Sequence, residues 1–527
     1  MSAPGGIDGD ARLDELLSDA ARAHGERVAI RDDEGDHTFA ALDRTVGRVA
    51  ARLAGLGVLP GERVVVRMSN RVELPVTVLG LARLGAVSIM VSPAWKQREV
   101  EHSLAVTGAR RALVDRDDDG LIGTLLGGDA VHDVTSWTDP ADDVAADDVA
   151  ARDVAADGLA GTAPAATVAA GDDVVLVFSS GTTGLPKAVR HTHRSLRAAT
   201  RHWVDALDLS ADDRFQISTP PSHILGLLNL LAAVMAGATV RLHRRFDLER
   251  ELATIEQDRL TLEMAVAPIV LAFAHHPDLD RFDLSSLRYV MWGATPVTPS
   301  VAETVTARTG VPILAAYGAS EVPVLAVNPV RSPTEWRLDS PGPPPAGVEL
   351  RVVDTLTGRV LPDGQPGELE ARSPSTMAGY LPAAADADAF HDGWYRTGDI
   401  ATLDAQGWVR LTDRAKDMIK VNGHQVAPAE IESVLLGHPG VQDCAVFGVP
   451  DPRTGEAPVA AVALDPAVPV DDDTLRGLVD EQLAGYKRLR SVVRVAAIPR
   501  LPSGKALRRE LREQWATQHP AEGEDPT

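Results

Sequence analysis

The sequence predicts an α/β protein: a large N-terminal region built on parallel-rich sheets covered by helices, then a small α+β C-terminal region. Three observations predict it. Between Leu13 and Val114, stretches with apolar residues at helical spacing alternate with short apolar runs, the pattern of parallel strands joined by helices. Near Thr412 the chain turns charge-dense and then makes a compact strand–helix–strand pattern. At 527 residues it exceeds the size at which one core keeps growing.

Each element has a local reason. "TFAALDRTVGRVAARLAGLGV" (Thr38 to Val58) carries apolar residues at helical spacing and closes on glycine. "ERVVVRM" reads as a short buried strand, and "ELPVTVLGLARLGAV" as a second apolar helix ending near a glycine. Residues 133–172, with the degenerate repeat "DDVAADDVAARDVAADG", have little to bury and read as a surface insertion. Val174 to Phe178 is an apolar run of strand length. In the C-terminal region Pro428 suits a first helical turn, Ile431, Val434 and Leu435 give it an apolar face, and Gly437 and Pro439 end it. The large region is expected over 1–415, the small one over 416–515, and a disordered tail over 516–527.

Composition narrows the function. The chain is 44% hydrophobic and 24% charged, as globular proteins are, with a net charge of −23. That charge argues against nucleic acid and against an anionic membrane surface as partners. The single cysteine, Cys444, excludes a disulfide framework and a cysteine-based zinc site; within "VQDCAVFGV" it reads as a small buried strand residue. No basic segment precedes an apolar run at the N-terminus, and no stretch is long enough to span a bilayer, so the expectation is a cytoplasmic monomer or homodimer. No histidine pair has ligand spacing for a transition metal, and His275–His276 reads as surface.

The densest chemistry lies in "SSGTTGLPKAV", Ser179 to Val189, directly after the apolar run. Ser179, Ser180, Gly181, Thr182, Thr183 and Gly184 offer backbone N–H groups and hydroxyls without bulk, and Lys187 adds a compact cation. A strand followed by such a loop suits a polyphosphate. Pro186 before the lysine, with no Ser/Thr after it, sets the loop apart from the common P-loop.

This stretch resembles the phosphate-binding signature of the adenylate-forming superfamily of acyl- and aryl-CoA ligases. Seven further segments resemble that family's motifs in the same order: "PPSHILG", "MWGATPV", "YGASE", "GELEARSPSTMAGY", "DGWYRTGD", "DRAKDMIKVNGHQVAPAEIE" and "PRLPSGKALRREL". The resemblance spans Leu13 to Leu511 and is strongest to hydroxycinnamate-CoA-ligase-like members. It implies ATP-dependent conversion of a small acid to an acyl-adenylate, with pyrophosphate released, then transfer to a thiol, with CoA first and a carrier protein as an alternative. Other expectations compatible with the scaffold are activation of another oxyanion such as nitrite for transfer to an amine, and a nucleotide-binding protein without activity.

By the same resemblance, Lys505 bridges the carboxylate and the α-phosphate, and Glu321 is the Mg²⁺ ligand, with Ser320 where the family usually has threonine. Asp399 and Arg414 take the ribose hydroxyls. Gly293, Ala294, Thr295, Ala316, Tyr317 and Gly318 surround the adenine. His223 stands between ATP and the acyl pocket, Gln425 serves adenylation, and Lys416 is the hinge of a mobile small domain. The chemistry fits the residue types. Two anions must be aligned and their charge cancelled, Mg²⁺ takes hard oxygen ligands, and one lysine must approach phosphate and later withdraw. Departures are Ala188 for glycine, Asn422 for lysine, Trp292 where a small residue is usual, and Ala316 for glycine. The last two predict a narrowed acyl pocket.

Overall fold

A computed structural model describes residues 12–138, 168–179, 186–293, 298–414, 417–422, 424–501 and 504–519, with the backbone alone at Arg414 and Gln425. The expected N-terminal elements form. The helix Phe39–Gly55 is N-capped by Thr38, whose hydroxyl accepts from the Ala41 amide. Its apolar face, including Leu42, Val46, Val49 and Leu53, is buried. The strand Arg63–Arg67 follows, and the helix Glu73–Leu84 closes on Gly85 at φ +73, the left-handed turn that glycine adopts without strain.

Among the described residues these strands build a seven-stranded sheet in the order Gly379–Leu381, Lys187–Thr192, Asp173–Ser179, Val87–Met90, Arg63–Arg67, Arg111–Val114, Val131–Asp133. The pairings from Asp173–Ser179 to the last strand are parallel, whereas the two at the Gly379–Leu381 end are antiparallel. The inner parallel strands are hydrophobic at their centres, as at Val64–Val66, Ile89 and Val174–Val177, because both faces are covered. A second sheet runs Leu262–Ala265, Tyr289–Trp292, Ile313–Tyr317, Ala326–Val327, and a third joins Val28–Arg31 to Thr239–Leu242 and Arg214–Ile217. An antiparallel sheet around Gly367–Arg372 and Trp394–Leu403 precedes the C-terminal region. That region has its own five-stranded sheet, centred on the antiparallel pair Val441–Asp451 and Gly455–Leu464, and its own core of Ile419, Ile431, Leu435, Val446 and Val462. The helix Pro428–Leu436 carries proline in its first turn, as expected, and Cys444 is buried in its strand.

Two boundaries change. Residues 133–172 are not wholly a surface insertion: Val131–Asp133 is a sheet strand, and Val134 and Trp137 are buried, with the Arg52 guanidinium 4.9 Å from the Trp137 ring. One tryptophan supplies the apolar area that the flanking repeat lacks. Ala170 is buried at the other end, and 139–167 lie outside the described residues. The C-terminal tail begins later than 516, because the helix Arg508–Gln518 continues past Trp515, whose ring stacks on His519 at 3.7 Å. Residues 520–527 lie outside the described residues. No helix among the described residues is long and apolar enough to cross a membrane.

Candidate active site

The strand Asp173–Ser179 and the strand Lys187–Thr192 form a hairpin whose register places Ser179 opposite Lys187. Both ends of the expected phosphate loop therefore meet at one point. Ser180, Gly181, Thr182, Thr183 and Gly184 lie outside the described residues. Lys187 is half-buried with Nζ 4.9 Å from the centre of the Tyr380 ring, on the neighbouring strand. Ala188 points away, fully buried in the core behind the sheet.

Glu321 follows the strand Ile313–Tyr317 by one tight turn. A Cβ on Gly318 would fall 2.0 Å from the Pro323 carbonyl oxygen, so this turn requires glycine. The turn is held at three points. Tyr380 Oη donates to Glu321 Oε1 at 2.7 Å, the Met377 amide donates to the Glu321 carbonyl at 2.8 Å, and His191 Nε2 lies 2.8 Å from the Ser320 carbonyl. A carbonyl only accepts, so His191 carries its proton on Nε2, and Nδ1 accepts from Ser195 Oγ at 3.2 Å. Burial pushes the His191 imidazole below its ordinary range and keeps it neutral. Burial, with the Glu321 charge adding to it, raises the phenols of Tyr380 and Tyr395 well above theirs, so both stay protonated donors.

Tyr317, expected at the adenine, and Asp399, expected at the ribose, are in direct contact: Tyr317 Oη donates to Asp399 Oδ2 at 2.5 Å. Asp399 is buried, its amide donates to Thr397 Oγ1, and its backbone pairs with that of Arg414. Gly293 is buried 3.9 Å from Leu225 Cδ2, measured from where a Cβ would stand; Ala294 and Thr295 lie outside the described residues. His223 N-caps the helix Ile224–Ala236, its Nδ1 accepting from the Leu225 amide at 3.3 Å. Surrounding protein pushes its pKa down to about 4, against the opposing pull of Glu321, so it too is neutral.

Lys505 follows Gly504, which takes φ +83 and packs a Cβ-width of 3.0 Å from Pro268. Arg500 fixes this loop: it donates to the Gly504 carbonyl at 2.6 Å and makes a paired contact with the Asp443 carboxylate at 3.0 and 2.6 Å. Arg508, one turn on, donates to the Val446 carbonyl and to Glu432. Lys416 lies outside the described residues, and Gln425 contributes its backbone to the strand His424–Val426, paired with Lys420. Asn422 adopts φ +51 in the adjoining turn, a conformation asparagine enters more readily than lysine.

Two neighbouring cavities join these groups. The first, about 620 Å³, is lined by Ser179, Lys187, His223, Ala316, Glu321 and Lys505 among others. The second, about 630 Å³, shares Ala316, Tyr317, Gly318 and Lys505 with it and adds Asp399, Arg500 and Trp292. Ala316 thus lines the first cavity as expected. Trp292 does not: alternation along its strand turns it to the opposite face, with Val290, against Ala267 and Leu271. The His275–His276 reading is also corrected, since His276 is buried against Glu249 at 2.8 Å while His275 is exposed. Sequence reasoning missed His191, Tyr380 and Tyr395. The two tyrosines lie inside recognised motifs; His191 carried no signal apart from its place after the phosphate loop.

The AMP-binding enzyme family matches residues 17–381, and the AMP-binding enzyme C-terminal domain matches 430–505. 4-Coumarate–CoA ligase 2 of Oryza sativa subsp. japonica is 37% identical over 499 residues, 91% of this chain and 88% of that protein. Feruloyl-CoA synthase of Amycolatopsis sp is 32% identical over 497 residues, 94% and 97% of the two chains. Among solved structures, the anthranilate CoA ligase AuaEII in complex with anthranoyl-AMP superposes with a TM-score of 0.85 at 26% identity, covering 96% of this chain and 97% of its own. The amide bond synthetase McbA from Marinactinospora thermotolerans gives 0.81 at 29%, covering 95% and 99%. Order of motifs, two-part architecture and these matches agree: the chain belongs to the AMP-binding enzyme family and is an AMP-forming acid–thiol ligase.

Proposed function

We propose that the paired cavities hold ATP and a small carboxylic acid, and that the acyl group activated there passes to CoA. The observation that carries this reading is the first cavity, where Lys187, His223, Glu321 and Lys505 meet from four distant segments of the chain. In the first step a carboxylate oxygen attacks the α-phosphorus. The bond to pyrophosphate breaks and its electron pair leaves with pyrophosphate. In the second the CoA thiolate attacks the acyl carbon and AMP departs.

Two anions must approach each other, so cations are placed where they meet. Lys505 neutralises charge between carboxylate and α-phosphate, and Lys187 acts on the phosphates beyond it. Asp399, held by Tyr317, is assigned to the ribose hydroxyls, with the Tyr317 ring as a flat wall for the base. Neutral His223 separates nucleotide from acid without adding charge. Glu321 suits Mg²⁺, which takes one or two protein oxygens and the rest from phosphate and water. One Glu321 oxygen is committed to Tyr380, and the carboxylate lines the cavity. When bound there, Mg²⁺ supplies charge neutralisation on the phosphates. Among the described residues no cluster of three or more His, Cys, Asp or Glu side chains is placed to hold a metal ion.

The proposed division at 416, with Lys416 as hinge, lets Lys505 withdraw before the thiol enters. CoA is favoured as acceptor by a basic strip on the C-terminal region. Tyr486 stacks on His424 at 4.4 Å, and Arg488 beside it is two-thirds exposed and pairs with Asp480 at 3.2 Å, an ion pair that an incoming phosphate could exchange for. Such a surface suits an anionic nucleotide thiol. Pyrophosphate–ATP exchange over a panel of acids, followed by product analysis with CoA, tests the reading. Acid-dependent exchange and an acyl-CoA product are expected. Product formed only with a carrier protein or an amine would reassign the acceptor, and exchange with nitrite alone would reassign the oxyanion.

A further inference from the structure

The helix His193–Leu207 and the helix Ile224–Ala236 pack side by side against the first cavity. From the second helix, Leu225 and Leu228 face the cavity, three residues apart and therefore on one side. From the first, Trp203 reaches the same cavity. Trp203 is 3% exposed, and its indole N–H donates to Asn229 Oδ1 at 2.7 Å, with Asn229 itself 1% exposed. The bond is kept although Asn229 Nδ2 is buried without a partner, so the indole is fixed at the expense of a lone amide N–H. With its one donor used, Trp203 presents only aromatic carbon to the cavity.

Distance along the second helix sets a length. His223 caps that helix at the reacting end, and a rise of 1.5 Å per residue puts Leu228 about 7.5 Å beyond it along the axis. That is about the reach of one aromatic ring with its carboxylate. Asn229, next in sequence to Leu228, is the residue that holds the indole.

We propose that Trp203, fixed by Asn229, closes the far end of the acid-binding part of the cavity, and that the enzyme selects a short acid of about one ring, ending in an apolar edge. This rests on the reading of the first cavity as the acid site. It specifies an acid shorter than the hydroxycinnamates named for the relatives. A longer acid must displace a packed indole, and an acid with a distal hydroxyl or carboxylate must desolvate it against carbon. Trp203 acts by contact with the acid, and Asn229 is a positioning residue that acts through it.

The test is kcat/KM from pyrophosphate exchange with benzoate-, 4-hydroxycinnamate- and octanoate-sized acids, in the natural enzyme and in Trp203→Ala, Trp203→Phe and Asn229→Leu. The natural enzyme should prefer the benzoate-sized acid. Trp203→Ala should shift the ratio toward the two longer acids by at least about 10-fold, the scale at which one methylene is discriminated in an apolar pocket. Asn229→Leu should shift it in the same direction by raising KM for the short acid more than it lowers kcat. Trp203→Phe, which keeps a ring, should stay close to the natural profile and serves where the alanine variant fails to fold. Exchange with an unchanged size profile in every folded variant, or a natural preference for the longer acids, would overturn the inference alone. No exchange with any acid would overturn the reading of the cavity and this inference with it.

Discussion

His191→Leu isolates one hydrogen bond under Glu321, the proposed Mg²⁺ ligand. The imidazole is fully buried, its Nε2 lies 2.8 Å from the Ser320 carbonyl, and Glu321 is the next residue. Leucine is close to histidine in volume, so no large cavity opens. Ser195 Oγ loses His191 but keeps its capping contacts with the Thr192 amide and carbonyl. The cost therefore falls on the Ser320 carbonyl, and an acceptor stranded out of water costs about 1–3 kcal/mol. The turn can relieve that cost by moving toward solvent, which carries Glu321 away from the phosphates. Expressed in binding, the same 1–3 kcal/mol is roughly a 5- to 150-fold rise in KM for MgATP. Exchange kinetics against MgATP should show that rise with a smaller effect on kcat, and calorimetry should show a lower unfolding midpoint. His191→Gln restores an N–H donor and should recover most of both. A leucine variant with unchanged KM and midpoint would refute the argument. Equal damage from leucine and glutamine would show that ring packing, and not the hydrogen bond, holds the turn.

Four further outcomes follow from the same geometry. Lys505→Ala should slow adenylate formation about 100- to 1000-fold, the usual loss for one transition-state electrostatic contact, while supplied acyl-adenylate is still converted to thioester; equal loss in both steps would remove Lys505 from the first. Lys416→Pro should leave pyrophosphate exchange and depress thioester formation, because proline fixes φ at a hinge that must rotate; parallel loss would place the hinge elsewhere. Arg488→Glu should raise KM for CoA several-fold, a charge-reversal effect that added salt weakens, with exchange untouched; an unchanged KM would detach the basic strip from the acceptor. Glu251→Gln should stabilise the fold at pH 8 by a few kcal/mol. Burial raises both Glu251 and its neighbour Glu263, so the folded state holds protons that the unfolded state releases, and stability falls as pH rises above about 4.5, less steeply once Glu251 is removed. A pH–stability profile as steep in the variant as in the natural protein, in that window, would refute the assignment.

What the sequence made legible follows from what each signal encodes. Periodicity reports burial of a face, and it located the helix Phe39–Gly55, the strand Arg63–Arg67 and the helix Pro428–Leu436. Motif spacing reports a backbone path, and the residues of Lys187, Glu321, His223 and Lys505 do converge. Neither reports which way an isolated side chain points. Trp292 illustrates this: its motif sits at the site, yet strand alternation turns the indole from the first cavity to the opposite face, where it borders the second. The residue that narrows the cavity lies on another helix, at Trp203, in a stretch whose helical period marks it only as core. The buried histidines were hidden for a related reason. His191, His202 and His243 sit in segments of ordinary polarity, and only the fold removes them from water.

These buried groups bear on how an acidic protein manages anions. His191, His223 and His243 are all driven below their ordinary range, the last two to about 4, mainly by burial. Each binds a proton less readily folded than unfolded. Stability from their neutrality is therefore complete above about pH 6.5 and is lost as pH falls from there toward about 4. At neutral pH none of the three contributes a charge, and His223 and His191 stand at the phosphate side of the site without attracting anions. Lys187 and Lys505 supply the positive charge that lines the first cavity, beside Arg396, which is paired with Glu368. A permanently charged group in place of His223 would bind product pyrophosphate and AMP as well as it binds ATP, which lowers KM without accelerating the chemistry. In the proposed domain alternation, withdrawal of Lys505 would weaken that attraction as the thiol enters. Neutral fixed residues and the proposed movable cation would answer one requirement: the site must attract the triphosphate in the first step and hold it less in the second.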